Sequence, residues 1–139
     1  MRPIKSFELP QSMITAIGTQ WLGKYVVHEL DAREFVQCQS SATSFMIEDY
    51  ATQNRGKPEN EQLQWDGIIP EDVMRKFIVC KSTVKDGIEL NPVEHLPSKL
   101  YDALAMISLP ANIISPQEFK TLFLSSATSN PAILQPKST

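Results

Sequence analysis

NPVEHLPSKLYDALAMISLPANIISPQEFKTLFLS, residues Asn91–Ser125, is the stretch on which the reading of the fold turns. It predicts two short helices joined by a proline-marked turn. Leu96, Leu100, Ala103, Leu104 and Ile107 fall at helical spacing and make one apolar face. Pro97 suits a first helical turn, where a missing N–H has no intrahelical partner to lose. Leu109-Pro110-Ala111-Asn112 reads as the stop, because the residue before a proline is pushed out of the helical region. Ser115-Pro116-Gln117-Glu118 reads as the restart. A serine hydroxyl there meets the first free N–H groups and a glutamate reaches back, the order of a capping box. Phe119, Leu122 and Phe123 follow as an apolar stripe.

Upstream, Pro70-Glu71-Asp72 opens a helix with two acids at its positive end. Val73, Phe77, Cys80 and Val84 form its stripe with Met74 beside it, and Asp86-Gly87 reads as its stop. Ile88-Glu89-Leu90 is then a short extended link. Thr52–Asp66 is the most polar interior stretch and predicts a surface loop, with Leu63 and Trp65 pinning its far end. Before it, Asp31 and Glu34 have capping-box spacing and predict a helix to about Tyr50. Phe35, Cys38, Ala42, Phe45 and Met46 share its apolar face, and Asp49 falls on the same face. Gln39-Ser40-Ser41 is weak helix material and predicts a bend or break near Ser40.

Lys24–Leu30 (KYVVHEL) is the best strand candidate, with the β-branched and aromatic content of a pleated surface. Met13–Ile17 (MITAI), closed by Gly18, is its expected antiparallel partner. Two strands alone are marginal in water, so this hairpin must lie on a helix or extend a partner's sheet. The expected layout is an irregular lead-in over 1–10, one domain over 11–126 and a flexible Ser/Thr/Pro-rich tail over 127–139. The fold class is α+β, mainly helical: an N-terminal strand or β-hairpin followed by three to four helices.

A length of 139 residues favours a single domain. The net charge of −3 argues against a general nucleic-acid binder, which needs a basic patch to displace counterions. No apolar run approaches the roughly 20 residues that span a bilayer. The N-terminus MRPIKSFELP has no continuous apolar core of a signal peptide. Two cysteines, Cys38 and Cys80, do not make a disulfide framework, and a reduced, cytoplasmic protein is the simplest reading.

The histidines, His28 and His95, fall in no ligand pattern with those cysteines, so no metal is expected. No serine sits in a GxSxG elbow, and the five glycines are scattered singly, so no phosphate-cradling loop is expected either. Glu48-Asp49, Glu59/Glu61 and Glu71-Asp72 could serve as acid–base pairs, but solvated faces and a helix start account for them. No catalytic residue and no cofactor is therefore assigned. What remains is surface for partners. Trp21, Leu22, Tyr25 and Trp65 are large residues near predicted turns and strand, and are the candidate interface. The plainer alternative is that they cover the open side of a small core.

Two of these patterns carry a resemblance. Val27-His28-Glu29-Leu30-Asp31 with Glu34 forms a strand-to-helix opening. Leu96-Pro97, Leu100, Ala103-Leu104 and Ile107 form a later helix after an extended link. In this order the chain resembles the tail assembly chaperones of long-tailed bacteriophages, over roughly Lys24–Ser125. The Thr52–Asp66 loop and the final tail depart from that pattern. The resemblance implies a non-catalytic assembly factor in the host cytoplasm. Such a factor coats the tape-measure protein and helps tail-tube subunits polymerise around it. Some members are also made in a longer, frameshifted form. It implies no nucleic acid or membrane as partner, with self-association as a further option. The rival readings are another virion structural or adaptor protein that uses its hairpin for strand addition, and a small hydrolase built on a Cys–His pair or paired acids.

Overall fold

Strand β2, Lys24–Glu29, is the centre of the protein, because its alternation leaves one side that must be covered. Tyr25 and Val27 point inward and are fully buried. The structure, a computed structural model, describes residues 1–13, 17–115, 117–118 and 120–121. Strand β1 (Arg2–Glu8) pairs with β2 antiparallel, Phe7 opposite Tyr25 and Arg2 opposite Glu29, with an irregularity between Pro3 and Lys5. On the other side β2 pairs with β3 (Thr83–Lys85), which turns back into β4 (Ile88–Glu89). The sheet is four-stranded, in the order β1-β2-β3-β4.

Two expectations are corrected by this sheet. The partner of β2 is Arg2–Glu8, read from sequence as irregular, and not Met13–Ile17. Met13 ends a short 3₁₀ turn, and 14–16 lie outside the described residues. The reason is that β1 is an edge strand. Its proline, its charges and its bulge are the devices that blunt an open edge, and they erase the apolar alternation by which strands are recognised. The second correction concerns Asp86-Gly87, which is a hairpin turn and not a helix stop. Both residues have positive φ, 49° and 83°, and the closing pair is Lys85–Ile88. That is the two-residue turn whose twist matches antiparallel strands.

Among the described residues, three long helices pack with this sheet: α1 (Ala32–Asn54), α2 (Glu71–Ser82) and α3 (Ser98–Asn112). The first is capped as expected, with Glu34 N–H donating to Asp31 Oδ1 and Asp31 N–H to Glu34 Oε1. It does not break at Ser40. Cys38, Ala42 and Met46 are buried at four-residue steps, and this packed stripe overrides weak local propensity. At its far end the Asn54 carboxamide clasps the N–H and C=O of Leu63, tying the polar loop back to the body.

Helix α2 is the hub. Phe77, Ile78, Val79 and Cys80 are buried in succession, because α1 packs on one flank, α3 on another, and the sheet meets its C-terminal end. It ends at Ser82, three residues before the predicted limit, where the chain is drawn into β3. Helix α3 buries Leu100 and Leu104 against β2 and α2, as its spacing predicts, with Trp21, Val79, Cys80 and Leu90 in the same core. It also runs through Pro110, contrary to the expected stop at Leu109. The proline lies in the last turn, and the helix closes beyond it with Ile113 N–H bonded to the Leu109 carbonyl. The predicted capping box follows: Glu118 N–H donates to Ser115 Oγ and Ser115 N–H to Glu118 Oε1. The stripe at Phe119, Leu122 and Phe123 and the tail 127–139 lie outside the described residues.

Candidate functional site

The predicted interface residues do not form one surface. Tyr25 is fully buried, stacked on Phe7, and its hydroxyl donates to the Trp21 carbonyl. Trp21 is 7% exposed and belongs to the core. Leu22 is half-buried beside them. Trp65 is half-buried in the polar loop, with its indole N–H held by the Ile68 carbonyl. Neither Trp21 nor Tyr25 is available to a partner. They are packed because β2 needs large residues on its covered face.

The two thiols and His28, weighed for chemistry, sit in local packing and hydrogen bonds. Cys38 Sγ donates to the Phe77 carbonyl at 3.7 Å. Burial pushes the Cys38 thiol up to about 11 and the Cys80 thiol to about 12, so both are held protonated and unreactive. His28 Nδ1–H donates to the Ser82 carbonyl at 3.2 Å. Ser82 and Ser108, both fully buried, bond to each other through their hydroxyls. Asn112 joins this cluster. Its carboxamide accepts from Leu30 N–H (2.6 Å) and donates to the His28 carbonyl (3.1 Å) and the Ser108 carbonyl (3.0 Å). These groups fasten the end of α3 to the end of β2, and the hydroxyls face no solvent. Among the described residues, no three His, Cys, Asp or Glu side chains converge as a metal site, and no helix is long and apolar enough to cross a membrane.

Two open grooves offer accessible apolar surface. The first, of about 570 Å³, lies between α1, α2 and the end of α3, with Phe35, Met74, Ile78, Leu109, Ile113 and Ile114 in its walls. Ile114 is 50% exposed there. The second, of about 540 Å³, runs along α1. Phe45 and Phe77 form its floor, ring centroids 5.6 Å apart and tilted by 57°. Pro92 and Val93 form the far wall, and Glu48 and Asp49 stand on the α1 side. The sequence held a signal for this second groove in Asp49, an acid on an apolar helix face. The wall at Pro92 and Val93 comes from a distant loop and had no local signature. Comparison with protein-family models, with curated proteins and with solved structures finds no match to this chain.

Proposed function

We propose that the chain is a non-catalytic assembly chaperone of the long-tailed phage type, acting in the host cytoplasm by binding a helical, apolar-rich client such as a tape-measure protein. The observation that carries this reading is the pair of open apolar grooves flanking α1 and α2. A groove of this kind receives one face of an amphipathic helix. The resemblance supports it further, since its two motifs form the β2–α1 junction and α3. Many moderate contacts along one long client suit a holdase that must later release it to the tail tube.

Co-expression with the tape-measure protein encoded alongside it tests this. The expected outcome is a soluble client and a complex with several copies of this chain per client, read by pull-down and light scattering. Ile114→Asp, at an exposed apolar side chain, should weaken that complex while the thermal midpoint is retained. A folded protein that neither binds nor solubilises the client refutes the proposal.

A further inference from the structure

We infer that the groove along α1 docks a partner helix of defined chemistry: an apolar anchor residue followed, one turn away, by lysine or arginine. Ser41, Ser44, Phe45, Glu48, Asp49 and Thr52 line it from α1. Their steps alternate three residues and one, so they form one helix face over three turns, about 17 Å long. A helix face of that length, lining an open groove, matches a second helix laid along it. The small residues Ser41 and Ser44 at one end let two helix axes approach closely. The Phe45–Phe77 floor supplies a socket for one apolar side chain, and Val93, 63% exposed, adds apolar surface on the opposite wall.

Charge identifies the occupant. Glu48 and Asp49 stand next to each other on the wall, and no lysine or arginine lines the groove. Among the described residues neither carboxylate has an ion-pair partner, and Asp49 meets only the Gln53 amide at 2.7 Å. A basic side chain one turn from the anchor completes this wall. A second copy of this chain is the poorer occupant, because each copy carries a net charge of −3. The inference rests on the reading that the chain works by binding helices, and adds the pattern that the bound helix must carry.

The test uses two fluorescein-labelled amphipathic peptides, one with leucines at i and i+4 and lysines a turn beyond, the other with those lysines replaced by glutamate. Fluorescence anisotropy should show the lysine peptide binding about tenfold more tightly, and less tightly as salt is raised. The double variant Glu48→Lys/Asp49→Lys should reverse the preference with an unchanged thermal midpoint. Amide NMR shifts should centre on Ser41–Thr52 and Val93. Equal binding of the two peptides, binding of neither, or shifts centred on Met74 and Ile113 overturns the inference. The two readings fail separately. Loss of client capture with the charge preference intact defeats the chaperone proposal alone. Capture that ignores Glu48 and Asp49 defeats the docking inference alone.

Discussion

The carboxamide of Asn112 does for the end of β2 what a peptide group does inside a sheet. It takes the Leu30 N–H and gives a hydrogen to the His28 carbonyl, so two backbone groups beyond the last pairing with β3, Val27–Thr83, are satisfied by a side chain from α3. A bond from the same amide to the Ser108 carbonyl fixes its orientation. Asn112→Ala removes all three partners at once and leaves backbone groups unsatisfied in a half-buried position. The expected loss is about 1–3 kcal/mol, read from the midpoint of urea unfolding with unchanged slope. In sequence, Asn112 looked like one more residue of a helix stop after Pro110. Its two partners on the strand side, Leu30 and His28, lie more than eighty positions away, so nothing local could reveal the role.

At the scale of elements, the β3–β4 hairpin depends on Asp86. This residue holds a positive φ, accepts from Lys24 N–H at 2.9 Å through Oδ1, and gives its own N–H to the Lys24 carbonyl. Gly23 stands opposite, where a Cβ would press on the Asp86 carboxylate. Backbone and Lys85 hydrogen bonds lower the Asp86 pKa. Asp86→Ala should lower the unfolding midpoint by losing the Lys24 bond and the aspartate's tolerance of that backbone region, checked by thermal or urea unfolding. The same hairpin explains what sequence could and could not show. Capping boxes at Asp31 and Ser115 were legible because every atom involved lies within four residues. So were the stripes of α1, α2 and α3, whose period is their own. The hairpin was not, because Val84 continues the apolar period of α2 and made the helix seem longer. Phe45 and Phe77 of the candidate groove were legible as stripe residues, but their meeting across two helices was not.

Over the whole molecule, three buried acids on different elements share one titration behaviour. Tyr25 on β2 is raised to about 12, first by burial and then by Asp86, while burial raises Cys38 on α1 to about 11 and Cys80 on α2 to about 12. Their ordinary values are 10.0 for the phenol and 9.0 for the thiols. Below pH 9 all three hold their protons whether the chain is folded or not, so the full stability is present. Above that the unfolded chain releases protons first, and stability is lost as pH rises from about 9 to 12. Thermal midpoints measured from pH 7 to 11.5 should stay level and then fall steeply. Cys80→Ala should make that fall shallower, whatever it does to the midpoint at pH 7.

The strand order also sets an order in time. Tyr25 meets its β1 neighbour Phe7 early, but its β3 neighbour Lys85 is made sixty positions later. At the roughly 5–20 residues per second of synthesis, that gap lasts on the order of several seconds, far longer than a hairpin takes to close. During that interval β1 and β2 have only each other, a pairing that is marginal in water: one edge carries Pro3 and Lys5, the other, the β3 side of β2, is bare, and Tyr25 and Val27 lack the helices that cover them. The newborn chain therefore shows, on its adhesive side, two side chains that the finished protein buries completely.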